Sequence, residues 1–568
     1  MVRLATRTVR CSAACLRSHS ILILWLAFIT MVFWTSYIRY RNDAKYHYIR
    51  EIAGIGFSIS RAMACVVNVS SFMAIIPMCR LITSYIRSIG SKVSANFVTK
   101  CIDSSKKFHI ICAITIIIAG SLHSVAHIFN VLNFSLHYND DFNAVNIARF
   151  KGQDPLSIIL HSVAGLTGIF MIITLCILSS ASMSYVRNAS YDLFWFTHHL
   201  FLIFLVLLLC HPLSGQLKEQ TNLFLHQPGC NMNKNGSNYI YSTSSKVFCT
   251  EDPIFASQTS VTWKWILAGL TIYIIDLSFR FYKRKDPVQL LDFQIYKCDM
   301  ISLSLQKRDF TAKPGQFVYL QCLEISGLEW HPFSISKCPS LEDTSFTLHL
   351  RTHGDWADKL RHHLFCVASK ITGKKYAFNK IRLKDTDLVS LNCKFFIDGP
   401  YSSSFEEVLH YSVSICVAGG IGFTPFASVL SYLRIDVKSL EKTKRLHFFW
   451  VCRDLELYKC FSTLLYETFE QVRNSSPDKF EFHLYFTQQG SWDIIKDALG
   501  ESYPFLKPRI KLGKPCWNFL FEQWAIIYKK ADIGLFCCGP ENLGKNIQYF
   551  SQKWSNKGCH FAFHNETF

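Results

Sequence analysis

The chain has 568 residues, half of them hydrophobic, with 60 Lys and Arg against 41 Asp and Glu and a formal net charge of +19. That length allows three or four domains. The basic residues are dispersed along the flanks of apolar runs and not gathered in blocks, which excludes nucleic acid as the partner and points to anionic lipid and phosphate.

The first 20 residues are basic (Arg3, Arg7, Arg10, Arg17) and precede the apolar run Ile21 to Ile38. No small-residue cleavage site closes that run, so it reads as an uncleaved first span with a cytosolic N-terminus. Five further runs reach membrane length, about 20 apolar residues: Ile52 to Leu81, Phe108 to Val131, Leu156 to Ser180, Phe194 to His211 and Trp263 to Phe281. Arg80, Arg87, Lys92, Lys100, Lys106 and Lys107 follow the second run, and Arg280 to Lys285 ends the sixth. This places both loops, and the C-terminal half, in the cytosol.

Two of the runs carry histidine pairs: His109 and His123 in the third, His198 and His211 in the fifth. Ionisable residues are expensive in a bilayer and read as functional by default. Imidazole is a common haem ligand. Spacings of 14 and 13 residues correspond to roughly 20 Å of helical rise, which stacks two haem sites across most of the hydrocarbon core. His109 and His123 share a helix face, whereas His198 and His211 do not. Pro212 ends or bends the helix at His211, and His199 offers an alternative register.

Between the fifth and sixth spans lies a long loop on the non-cytosolic side. It holds Cys230 and Cys249, which suit a disulfide there. Asn133 and Asn235 begin acceptor sequons on the same side.

After Lys285 the pattern becomes that of a soluble globular half. Gln316 to Cys322 and Ser345 to Arg351 alternate like strands and predict a small β-barrel. Between them sits His331-Pro-Phe-Ser-Ile-Ser336. Pro332 with Ser334 would hold backbone flat against a flavin and reach its polar edge with a hydroxyl, His331 and Phe333 belong to the same flavin-binding run, and Arg351 would meet the pyrophosphate. Ser412 to Ala418 is a buried-strand pattern, followed by Gly419-Gly-Ile-Gly-Phe-Thr-Pro-Phe426 opening a helix. Gly419, Gly420 and Gly422 let backbone approach a phosphate at a helix N-terminus. Thr424 is placed to cap that helix and Pro425 to begin it. Leu446 to Cys452 is another strand, and Arg453 after it is placed for a 2′-phosphate, selecting NADPH. Ile533 to Cys538 is a further strand. It ends in Cys538-Gly539-Pro540-Glu541, at the sheet edge where the nicotinamide belongs. The final residue, Phe568, is suited to cover the flavin face. No calcium-binding loop of the D-x-D-x-D-G kind is present.

Taken in order, the bis-histidine spans, His331-Pro-Phe-Ser334, the Gly419 loop, Cys452-Arg-Asp454, Cys538-Gly-Pro-Glu541 and the terminal Phe568 resemble the NADPH oxidase (Nox) family along essentially the whole chain. Gln220-Thr-Asn-Leu223 with His226, Pro228-Gly-Cys230 and Phe536-Cys-Cys-Gly-Pro540 resemble a subgroup of it that releases hydrogen peroxide. The resemblance implies a six-span bis-haem helical bundle (1–285), an FAD-binding β-barrel (286–402) and an NADPH-binding α/β domain of the ferredoxin reductase type (403–568). It pairs His109 with His198 at an inner b-type haem and His123 with His211 at an outer one. It sets Arg61 and Arg80 near haem propionates and His127, with Arg61, at the oxygen site. It gives His226 a part in turning superoxide into peroxide, and Cys538 one beside the nicotinamide. It also implies a small membrane light-chain partner and residence in the endoplasmic reticulum or plasma membrane. A ferric- or cupric-chelate reductase shares this architecture and is the alternative. Phe423 stands where the family usually has Val, and Asp398-Gly-Pro-Tyr-Ser402 replaces a common DGPFG.

Overall fold

Long apolar runs with their charges confined to the ends form helices here because a helix satisfies its own backbone groups. A computed structural model describes residues 20–92, 102–230, 250–372, 381–383, 393–488, 504–529, 531–555 and 559–566. Among them, six helical segments are long and apolar enough to cross a membrane: Ser20–Asn42, Ile55–Met78, Ser105–Leu136, Val163–Ala181, Tyr191–Ser214 and Thr262–Arg284. Leu24, Met31, Ile118, Ile172 and Ile173 point outward and stay exposed, as lipid-facing residues do.

The described residues divide into two compact units. The first comprises 20–79 and 104–276. Its spans differ from the sequence pattern at three places. The third continues to Leu136, a 32-residue helix. The fourth begins at Val163, because Asp154 caps a separate short helix Pro155–Leu160 and Ser162 caps the span itself. The fifth is broken: Tyr191–His198 and Leu200–Cys210 are separate helices, and His211–Ser214 is a 3₁₀ turn containing Pro212. In the loop before the sixth span, β1 (Lys218–Gln220) pairs antiparallel with β2 (Phe255–Ser257).

The second unit comprises 80–92, 102–103 and the described residues from 277. Its first sheet has seven strands: β3 (Gln289–Tyr296), β4 (Met300–Gln306), β5 (Phe317–Cys322), β6 (His331–Lys337), β7 (Ser345–Arg351), β8 (Ile381–Leu383) and β9 (Phe395–Tyr401). Their order is β8-β3-β4-β7-β6-β5-β9, with every pairing antiparallel. Alternating residues such as Leu303, Leu305, Val318, Leu320, Phe346 and Leu348 fill its core. The second sheet is parallel: β10 (Val413–Gly419), β11 (Arg445–Cys452), β12 (Phe480–Phe486), β13 (Ile510–Leu512), β14 (Asp532–Cys538) and β15 (His560–Glu566). The order β13-β12-β11-β10-β14-β15 reverses direction between β10 and β14. In open α/β sheets, ligands bind at such a switch point, outside the carboxyl ends of the strands. All seven residues of β10 are buried, because helices cover both faces.

Candidate functional site

The break after His198 answers the angular problem of the fifth span. His199 turns outward, its Nδ1 bonding the Trp195 carbonyl at 2.7 Å. His198 then faces His109, with ring centroids 6.2 Å apart. Beyond the second break, His211 faces His123 at 6.1 Å. A metal–nitrogen bond of about 2 Å on each side, plus half a ring on each side, spans about 6 Å. Both separations therefore fit one iron between two imidazoles.

Three of the rings hold the tautomer that ligation needs. His109 Nδ1 donates to the Ala74 carbonyl and His123 Nδ1 to the Ser60 carbonyl, each at 2.8 Å. His211 Nδ1 lies 3.0 Å from the Thr167 hydroxyl, whose own proton goes to the Val163 carbonyl. With Nδ1 protonated, Nε2 keeps a lone pair for a metal. His198 Nδ1 has no partner among the described residues. His127 stacks edge-on against His123 at 4.5 Å. Arg61 reaches the Tyr40 hydroxyl through Nη2 at 3.2 Å, while its buried Nε has no partner among the described residues. An orphaned guanidinium N–H beside bis-histidine sites fits a haem propionate.

Asn133 Nδ2, the atom that would carry a glycan, donates to the Ala53 carbonyl at 2.9 Å. Cys230 is disulfide-bonded. Cys249, Asn235 and Phe568 lie outside the described residues. His226 is fully buried, a placement that a polar outer loop did not announce.

In the second unit, His331-Pro-Phe-Ser334 is itself a strand and not a connection, pairing antiparallel with β5 so that His331 lies opposite Leu320 and Ser334 opposite Phe317, with β7 on its other side. Ser334 is buried opposite Phe317. The Trp356 ring stacks on His331 at 4.5 Å, and its buried indole N–H has no partner among the described residues. Arg351 is exposed at the end of β7, free to reach an anion. Arg80 lies 3.7 Å over the Tyr319 ring and 4.0 Å from Asp398. Arg280 makes the direct bonds to that carboxylate, at 3.0 and 2.6 Å, and Tyr401 donates to its other oxygen at 2.6 Å. Burial pushes the Tyr401 hydroxyl pKa up, and the Asp398 charge adds to that. Sequence reasoning missed this knot, because Arg280 read as a membrane flank and Asp398 only as the start of a segment that departs from a common family motif.

At the switch point, the loops after β10 and β14 are packed backbone to backbone. A Cβ on Gly422 would lie 2.3 Å from the Cys538 carbonyl oxygen, and one on Gly419 would lie 2.7 Å from Pro540 Cδ. Gly420 has φ +56 and open space around it, the room a phosphate needs. Thr424 is not the cap. A 3₁₀ turn Gly420–Phe423 runs straight into the helix Thr424–Ile435, so Thr424 is already helical, with Pro425 in the first turn as expected. Phe423 is core: it stacks on Trp450 at 4.1 Å, and Trp450 Nε1 donates to the Gly420 carbonyl at 2.9 Å. The aromatic run in β11 was the one signal for that anchor. Arg453 is exposed just past β11, and Asp454 caps the next helix through Glu456 N–H. Cys538 is buried, and burial holds its thiol pKa well above the ordinary value, so it packs as a neutral thiol.

These features define a membrane-embedded reductase that uses a flavin and a nicotinamide. Residues 70–209 match the ferric reductase like transmembrane component, 286–405 an FAD-binding domain and 411–552 the ferric reductase NAD binding domain. The chain is 34% identical to NADPH oxidase 4 of Homo sapiens and 35% to that of Rattus norvegicus, covering 97% of both chains in each case. It is 28% identical to NADPH oxidase 1 of Rattus norvegicus, over 96% of this chain and 98% of the other. The chain belongs to the NADPH oxidase family.

Proposed function

We propose that this protein takes electrons from NADPH on the cytosolic side and delivers them to oxygen on the other. It releases mainly hydrogen peroxide, with superoxide as the primary product. The observation that carries this reading is the facing of His109 with His198 and of His123 with His211, at separations that suit one iron each. Bound FAD would supply the exchange of one hydride's electron pair for single electrons, and bound b-type haems would supply one-electron carriage, chemistry that side chains lack.

The chain's own residues bind, orient and screen. Gly419, Gly420 and Gly422 open the backbone to the NADPH phosphates, Pro425 starts the helix behind them, and Arg453 takes the 2′-phosphate. Gly539 and Pro540, after Cys538, border the nicotinamide. His331, Pro332, Phe333 and Ser334 would hold the flavin, and Arg351 its pyrophosphate. His109 with His198, and His123 with His211, would each hold one haem, leaving no histidine of either pair for oxygen. His127 and Arg61, beside the outer pair, would stabilise the negative charge that grows on oxygen there. The family resemblance gives Arg80 to a haem propionate. A small membrane light chain is the partner, and the endoplasmic reticulum or plasma membrane is the compartment.

Membranes containing the purified protein, given NADPH in air, test this when superoxide and peroxide are scored separately. Oxygen-derived products in proportion to NADPH consumed support it. Oxygen-insensitive reduction of a ferric chelate, without either product, would replace it with the metalloreductase that shares the architecture.

A further inference from the structure

His226 has both ring nitrogens engaged. Nδ1 lies 2.9 Å from the Glu251 carbonyl oxygen. A carbonyl only accepts, so Nδ1 carries the proton and Nε2 keeps a lone pair. Nε2 lies 2.5 Å from the Tyr48 hydroxyl, which therefore donates to it. Tyr48 is itself buried, and burial pushes its hydroxyl pKa up, so it stays a donor at neutral pH. The rings of Tyr48 and Phe142 flank the imidazole, each with its centroid 5.9 Å away. The backbone is fastened too: the His226 amide donates to the Asn222 carbonyl at 2.9 Å, and its carbonyl accepts from Gln220 Nε2 at 2.7 Å.

We propose that Tyr48 is a positioning residue for the peroxide-forming step, holding His226 in its Nδ1–H tautomer and fastening the loop after the fifth span to the short helix His47–Ala53. This rests on the reading that the protein releases peroxide. The step converts two superoxide ions and two protons into one hydrogen peroxide and one oxygen. A histidine acting directly on superoxide would present a free nitrogen. His226 presents none, so its influence runs through the Tyr48 contact. Without the hydroxyl, a buried acceptor is left unpaired, which releases the ring from that tautomer and the loop from its anchor.

The test uses membranes carrying the full chain as wild type, Tyr48→Phe, His226→Ala and the double variant, with both products scored per NADPH consumed. In Tyr48→Phe the superoxide share rises at least threefold. The double variant matches His226→Ala, because residues acting through one contact are not additive. In ¹⁵N-histidine spectra, the hydrogen-bonded Nε2 signal that His226→Ala removes is shifted in Tyr48→Phe. A wild type releasing superoxide alone defeats the peroxide reading itself. A peroxide-releasing wild type whose Tyr48→Phe variant keeps the same product ratio, or whose single shifts add in the double variant, overturns the role of Tyr48.

Discussion

Gly422→Ala puts the switch-point geometry to a quantitative test. The new methyl group would lie 2.3 Å from the Cys538 carbonyl oxygen and 2.6 Å from its carbon, against 3.4 Å for ordinary contact. The loops after β10 and β14 must part by 3.4 − 2.3 Å, about 1.1 Å. Neither yields easily, since both strands are paired in register up to Ala418 and Cys538. Overpacking of this kind costs about 1–3 kcal/mol. If the strain falls on the NADPH-bound arrangement, at 1.4 kcal/mol per decade the KM for NADPH rises about 5- to 150-fold. The assay is NADPH oxidation by purified membranes, with FAD and haem content measured on the same sample. Gly420→Ala is the comparison: its methyl meets open space, but φ +56 adds backbone strain of about 1–2 kcal/mol. A Gly422→Ala protein that keeps its FAD and haem and shows a KM within twofold of wild type would refute the idea that these loops form the nucleotide cradle.

Three other outcomes follow from the site. His198→Leu and His211→Leu should each halve haem relative to bound FAD in reduced-minus-oxidised spectra, because each removes one histidine from a different facing pair; an unchanged ratio would reject the pairing. Arg453→Ala should raise the KM for NADPH roughly tenfold or more and leave that for NADH nearly unchanged, since a charge-assisted bond is worth about 1.5–3 kcal/mol; equal effects on both would remove the 2′-phosphate role. Glu566→Gln should change the pH dependence of stability. Burial pushes the Glu566 carboxyl up to about 7, with the Asp103 charge adding and hydrogen bonds from Ser403 and Ser404 opposing. A raised carboxyl favours the folded state fully below its ordinary pKa of about 4.3, and that benefit is lost as pH rises through 7. The variant should therefore melt higher than wild type at pH 8 and lose most of that advantage by pH 5; parallel melting curves would show the carboxyl to be uninvolved.

Much of this protein is local in its causes. Apolar runs of bilayer length form helices whatever their neighbours, so the six spans were legible from composition alone. Strand alternation and the glycine turn after β10 were legible for the same reason. The histidine positions were visible as ionisable groups in apolar surroundings, but their partners were not. A 13-residue spacing on one continuous helix cannot bring His198 and His211 to the same side; the break at His199 does, and it arises in the packed bundle. Thr424 read as a cap because sequence shows a threonine before a proline, not the 3₁₀ turn that extends the helix backward. His226 read as an outer-loop residue because loops are polar, whereas Tyr48, Phe142 and Glu251, far apart in the chain, enclose it. Sequence by itself determined which residues carry the chemistry and in what order. Tertiary structure decided which of them face one another, because orientation across helices and sheets depends on breaks, register and packing that no local pattern encodes.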